Sequence, residues 1–274
     1  MFLQKIIIFN SLILILIFLI FYFYSKKNSD NDFNYPFSKE EYYIEDNLER
    51  YLKYYEQNQK KSFSDIVREI NCNLDYQFYN GVERSNPLDK ILILVNKHYT
   101  LDKDFEGFDL VKVDDKYAYY DKEYYMNQEA YEKFVKMWQD ANLAGCDFGI
   151  YSAYRSYERQ VFLYNNYVTV DGAEKADTYS ARAGSSEHQT GLAIDLKSRT
   201  KKTDYFETTE EYDWLLKNSY KYGFILRYKE DKEYLTGYQF EPWHYRYCGV
   251  DCATYIYEHH ITYEEYYEYF IKNQ

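Results

Sequence analysis

The sequence predicts an α+β protein, with a small antiparallel sheet flanked by helices behind an N-terminal transmembrane helix and a helical spacer. Three observations lead there. Helical periodicities and short apolar runs are mixed along the chain without the regular strand–helix–strand alternation of a parallel sheet. One apolar stretch near the N-terminus is long enough to cross a bilayer. Hydrophobic residues make up 46% of the 274, enough for one domain of ordinary size and a smaller appendage. The expected organisation is a membrane anchor over residues 1–27, a linker and small helical module over 28–85, and the main domain over 86–274.

Taken in order, Ile6 to Tyr24 is apolar except at Asn10-Ser11, with Lys5 before it and Lys26-Lys27 after. A cleavable signal has a shorter apolar region ending in small residues, whereas this one ends Phe21-Tyr22-Phe23-Tyr24, so an uncleaved anchor is expected. Residues 28–38 are polar and read as a linker. Tyr43, Ile44, Leu48, Tyr51, Leu52 and Tyr55 then recur at helical spacing, and Ser62-x-x-Asp65 resembles a capping box for a second helix, Ser64 to Ile70. Ile91 to Val95 and Leu110 to Val113 read as strands from their apolar runs. Asn127 caps a helix to about Asn142, with Ala130, Phe134, Val135, Trp138 and Ala141 on one face. A strand from Phe148 to Ala153 follows, then a helix capped by Ser156. Another helix runs from Thr209 to about Tyr222, with Tyr212, Leu215 and Leu216 inward and Gly223 ending it. Phe224 to Arg227 and Trp243 to Tyr247 are further strands, and residues 251–273 form two short helices.

The net charge of −12 argues against nucleic acid as a partner, because there is no basic surface to displace counterions. The 38 tyrosines read partly as genome composition, so no single one is marked as functional. Cys72, Cys146, Cys248 and Cys252 do not make a zinc knuckle, since Cys248-x3-Cys252 has no second pair facing it. Outside the cell, Cys248 with Cys252 and Cys72 with Cys146 are the disulfides available.

The stretch Ser185-Ser186-Glu187-His188-Gln189-Thr190-Gly191-Leu192-Ala193-Ile194-Asp195 offers an imidazole and a carboxylate, ligand types suited to zinc. The offset from His188 to Asp195 is odd, so on one straight strand they would point to opposite faces. A turn must intervene, and Thr190-Gly191 is the place for it, followed by a buried strand from Leu192 to Leu196. Glu241-Pro242-Trp243-His244-Tyr245-Arg246-Tyr247 supplies another imidazole from His244 and a free carboxylate from Glu241. Two His and one Asp leave one position of a tetrahedral zinc for water, the arrangement of a catalytic metal. Glu241, with Pro242 extending the backbone before His244, can stand beside that water and exchange a proton with it. Singly, each residue has a plainer reading as a hydrogen-bonded histidine or a strand-end cap. Their conjunction separates them from His98, His259 and His260. Arg155 falls at a strand end before a helix, where its guanidinium can hold a substrate carboxylate or a developing oxyanion. The competing reading is an ion pair with one of 45 acidic residues.

Tyr154-Arg155-Ser156, Ser186 to Asp195 and Glu241 to Tyr247 resemble, in that order, three signatures of the VanY-like D-alanyl-D-alanine carboxypeptidases. These are bacterial zinc peptidases that trim peptidoglycan stem peptides. Leu94-Val95-Asn96-Lys97 and Thr262 to Tyr269 are similar to that family too, so the resemblance covers about residues 91–270. It implies Zn2+ on His188, Asp195 and His244, with Glu241 as catalytic base. It also implies substrate contacts from Arg155, Gln160 and Ser186. Asp102 and Ala183 stand where the family commonly has Pro, which touches loop rigidity and none of the ligands. The implied activity is removal of the C-terminal D-alanine from stem peptides, on the outer side of the membrane. An L,D-carboxypeptidase or endopeptidase on the same site is the alternative, as is a non-catalytic peptidoglycan-binding module, against which an intact Glu241 speaks.

Overall fold

Strand alternation decides the central sheet. A computed structural model describes residues 37–272, so the expected membrane segment lies outside the described residues. Among the described residues, no helix is long and apolar enough to cross a membrane. The chain divides into two compact units, Met1–Val67 and Arg68–Gln274. In the first, helix α1 (Leu48–Gln57) buries Tyr51, whose ring lies 5.4 Å from that of Phe37; Phe63 lies 4.9 Å from Phe37. The Ser62 hydroxyl accepts the Asp65 amide at 3.1 Å at the start of α2 (Phe63–Asn71), the cap expected there.

The second unit carries three small sheets. Strands β1 (Glu83–Arg84) and β2 (Tyr99–Thr100) pair in parallel. Strands β3 (Leu110–Lys112) and β4 (Tyr125–Asn127) pair antiparallel. The main sheet is antiparallel throughout, with β5 (Phe148–Ser152), β6 (Ala193–Ser198), β8 (His244–Tyr247) and β7 (Phe224–Leu226) side by side in that order. The longer helices of this unit are α3 (Gln128–Leu143), α4 (Tyr157–Asp171), α5 (Glu210–Asn218), α6 (Val250–His259) and α7 (Tyr263–Phe270). The architecture is thus the expected mixture of helices and small antiparallel sheets.

On one face of the main sheet, Ile150, Ile194, Leu196, Phe224 and Tyr245 join Ala130, Phe134, Met137 and Ala141 of α3 in the principal core. Each large apolar side chain so removed from water contributes about 1.5–3 kcal/mol. On the other face, alternation brings Asp195, His244 and Arg246 together, all buried. Strand β5 takes an extra residue between Ile150 and Ser152, and Tyr151 and Ser152 both line the cleft on that face.

Two expectations fail in detail. Ile91 to Val95 is not a strand, since Pro87–Leu92 forms a 3-10 segment and the chain beyond it has no ladder partner. Its apolar run reflects burial on two sides: Ile93 and Val95 enter the principal core, and Leu94 enters a second cluster with Cys252 and Ile256. Leu216, expected to face inward, is 37% exposed, because the buried stripe of α5 runs through Glu211 and Leu215 and Leu216 lies about 100° round the helix from Leu215. The four cysteines are buried free thiols, with no disulfide between them.

Candidate active site

Asp195 on β6 and His244 on β8 are direct cross-strand partners, which places their side chains next to each other on one face. His188 arrives from the 3-10 turn Glu187–Thr190, which Gly191 closes at φ +78, a left-handed conformation that favours glycine. The Thr190 hydroxyl donates to Glu187 O at 2.6 Å and accepts the Leu192 amide at 3.0 Å, pinning this turn. The turn required by the odd offset between His188 and Asp195 is therefore present where Thr190-Gly191 placed it.

One ligand atom from each of His188, Asp195 and His244 lies within 4.8 Å of the others, and all three residues are buried. His188 Nδ1 is 2.7 Å from Ala153 O, and a carbonyl only accepts, so Nδ1 carries the proton and Nε2 is left open. That Nε2 stands 3.3 Å from Asp195 Oδ2. His244 is arranged the opposite way round. Its Nε2 faces Glu187 Oε2 at 3.4 Å, while its Nδ1 faces Asp195 Oδ1 at 3.2 Å and Glu241 Oε2 at 3.5 Å. Tetrahedral bonds of about 2.0–2.2 Å separate ligand atoms by roughly 3.3–3.6 Å, so this donor set fits a small divalent cation. Asp195 Oδ1 is also buried without a hydrogen bond, a deficit that a cation would remove.

The triad lies in a cleft of about 580 Å³ whose walls include Tyr151, Arg155, Ser186, Tyr228, Tyr238 and Glu241. Arg155 Nη2 stands 3.8 Å from Asp195 Oδ2 and donates to Ser152 Oγ at 2.9 Å, while Nη1 donates to Gln160 Oε1 at 2.8 Å. Gln160 sits behind this guanidinium, its amide nitrogen donating to Ala181 O at 2.6 Å, so both ends of its side chain are engaged within the protein. Ser186 is buried in the cleft wall. The sequence-predicted residues thus converge, except that Gln160 backs Arg155 instead of lining the cleft.

A family profile, VanY: D-alanyl-D-alanine carboxypeptidase, matches residues 123–250. YodJ of Bacillus subtilis (strain 168), an inferred carboxypeptidase, is 38% identical over 206 residues, covering 71% of this chain and 76% of YodJ. This chain belongs to the VanY family. Among solved structures, the LdcB LD-carboxypeptidase superposes on the VanY-family chain with TM-score 0.64 and 39% identity, over 69% of this chain and 91% of LdcB. A vancomycin-resistance D,D-pentapeptidase VanY mutant in complex with Zn(II) superposes with TM-score 0.55 and 31% identity, over 64% of this chain and 97% of that one. VanY membership makes the protein a peptidase of carboxypeptidase type.

The electrostatics of this VanY-family site favour positive charge at its centre. Burial raises Glu241, Asp195 adds to that, and the carboxyl is pushed up to about 7. Burial alone would depress His244, but the Asp195 and Glu187 carboxylates beside it outweigh this and raise the imidazole to about 9. Burial lowers His188. Without a cation, His244 itself takes up the charge that the surrounding carboxylates call for.

Glu187 was absent from the sequence-derived roles. Its side chain is fully buried; Oε1 accepts Arg227 Nε at 2.8 Å and Arg246 Nη1 at 3.1 Å, and Oε2 meets His244. Arg227 in turn makes a two-pronged pair with Glu264, at 2.8 and 2.5 Å. Burial alone would raise Glu187, yet Arg227 and Arg246 hold it well below the usual carboxylate range. The available signal was charge inside apolar strands: Arg246 lies two residues from His244 on the same face, and Arg227 directly follows Phe224-Ile225-Leu226.

Proposed function

We propose that this chain is a zinc-dependent carboxypeptidase that removes the C-terminal D-alanine from peptidoglycan stem peptides. The observation that carries the reading is the buried His188–Asp195–His244 cluster with Glu241 Oε2 3.5 Å from His244 Nδ1. His188 through Nε2, Asp195 and His244 through Nδ1 would hold the ion. Zinc, when bound, supplies Lewis acidity toward the attacking water and the scissile carbonyl.

Everything else falls to side chains of the chain. Arg155, fixed by Ser152 and Gln160, presents its guanidinium at the cleft wall and would bind the terminal carboxylate of the peptide. That preference for a free C-terminus is what makes the reaction an exopeptidase cut. Glu241, only 8% exposed, would take a proton from the attacking water on Oε2 as the C–O bond forms. It would then return the proton to the amine nitrogen as the C–N bond breaks, so one water is consumed and free D-alanine leaves. Glu187 keeps the proton of His244 on Nε2, which leaves Nδ1 unprotonated toward the cluster.

An L,D-carboxypeptidase acting on the tetrapeptide is a second reading, favoured by the likeness to LdcB. We place the domain on the outer side of the membrane, with Ile6 to Tyr24 as anchor, since the polymer to be cut is there; a C-terminal reporter active only in the cytoplasm would refute that. The test incubates the protein with a D-Ala-D-Ala pentapeptide and with a tetrapeptide ending in one D-Ala, with and without chelator, and weighs the products. Chelator-sensitive loss of one alanine from the pentapeptide supports the first reading, and from the tetrapeptide alone the second. Both peptides intact at full zinc loading would sink both.

A further inference from the structure

Lys97 is a buried cation with no carboxylate within ion-pair distance among the described residues; only 3% of the residue is exposed. Its ammonium donates to two backbone carbonyls from distant parts of the chain, Asp177 O at 2.6 Å and Gly237 O at 2.5 Å. Three aromatic faces enclose it, with Tyr238 at 4.2 Å, Phe78 at 5.1 Å and Tyr79 at 5.6 Å from ring centroid to nitrogen. Burial pulls Lys97 down to about 8, which still leaves it charged at neutral pH. A strongly hydrated ammonium is costly to place here unless its donors are met, and two carbonyls and three π faces meet them.

The two carbonyls belong to segments that lead directly into the cleft. Beyond Asp177, Ser180 and Ala181 line the cleft, and Ala181 O receives Gln160, which in turn holds Arg155. Beyond Gly237, Tyr238 and Gln239 line it; the Tyr238 ring is 4.8 Å from Tyr228, itself 4.9 Å from His244. The Gln239 amide donates to Thr178 O at 2.8 Å, so the two segments also touch beside the ammonium. The Tyr79 hydroxyl accepts the Arg182 amide at 3.3 Å and pairs with the Tyr238 hydroxyl at 3.3 Å, a second tie across the same junction.

We infer that Lys97 is a positioning residue that fastens the 177–182 and 237–239 segments together and thereby sets the Arg155–Gln160 clamp and the Tyr238 wall for the substrate. It rests on reading the cleft as a peptide site, and acts without touching the triad.

The test compares Lys97→Met, which keeps the stem and removes the donors, with Lys97→Arg and Tyr79→Phe. Amide exchange is measured on the zinc-loaded protein, with KM and kcat on the D-Ala-D-Ala pentapeptide. In Lys97→Met, exchange at the Gln239 amide is expected to quicken at least tenfold while amides of β6 and β8 stay protected. KM is expected to rise at least tenfold with kcat changed less than threefold and zinc affinity within twofold. Lys97→Arg, which retains several donors, should recover most of the KM, and Tyr79→Phe should raise KM two- to threefold. A folded Lys97→Met with unchanged KM and unchanged Gln239 exchange overturns the inference. So does a loss confined to kcat or to zinc affinity. If Lys97→Met does not fold, Tyr79→Phe decides, and its having wild-type KM and Gln239 exchange overturns it. Exchange is read without turnover, so an inactive wild type would refute the peptidase reading while leaving the fastening measurable.

Discussion

Replacing Glu187 by glutamine changes one atom and should damage two properties at once. Around this side chain, two carboxylates (Glu187 and Glu264) balance two guanidiniums (Arg227 and Arg246), all with essentially no exposed surface. The variant leaves one guanidinium uncompensated, and breaking such a buried pair costs about 3–5 kcal/mol. For a domain of this size about 2–4 °C is lost per kcal/mol, so the midpoint should fall by roughly 6–20 °C. The second effect concerns the tautomer of His244. Glu187 Oε1 already accepts from both arginines, so the glutamine oxygen is claimed there and its NH2 is turned toward His244 Nε2. Two donors would then face each other, and the imidazole relieves this by moving its proton to Nδ1, the atom that must be bare to hold a metal. Loss of such an orienting partner typically weakens metal binding about 10- to 100-fold. Thermal unfolding of the metal-free protein and zinc competition against a chromophoric chelator measure the two effects separately. Glu264→Gln is the control, because it removes the same charge 2.5–2.8 Å from Arg227 without touching His244. It should lose stability similarly and keep its zinc affinity. Equal zinc affinity in Glu187→Gln and wild type would refute the tautomer argument, and an unchanged midpoint would refute the charge balance.

Further outcomes follow from the same geometry. Glu241→Gln should lower kcat about 10²- to 10⁴-fold while one equivalent of zinc stays bound, read by hydrolysis assay and metal analysis. Arg155→Met should abolish discrimination between a free and an amidated C-terminus, which wild type should show at tenfold or more; retained discrimination would move the carboxylate site elsewhere. Gly191→Ala should cost at least about 1–2 kcal/mol for the left-handed backbone alone. Its added carbon would also meet the Leu110 side chain and come within 3.2 Å of the Asn127 nitrogen. Calorimetry of that variant should show a drop of several degrees, and an unchanged midpoint would mean the turn can relax.

How much was legible in the sequence follows physical range. Local patterns are legible: the caps expected at Asn127 and Ser156 accept the amides of Ala130 and Arg159, because capping is settled within four residues. The triad was legible since donor chemistry shows in each residue and the odd offset between His188 and Asp195 is local, while His244 came from a separate stretch and family resemblance supplied the roles. Ile91 to Val95 misled because apolar composition reports burial and not ladder partners. Gln160 could be named but not placed, since its partners Arg155 and Ala181 lie on either side of a fold the chain must close first. Glu187, Arg227, Arg246, Glu264 and Lys97 became meaningful only in three dimensions. A buried charge is tolerated where its counter-charge or its carbonyls lie, and here, apart from Tyr247 O beside Arg246, those lie between 37 and 155 residues away along the chain.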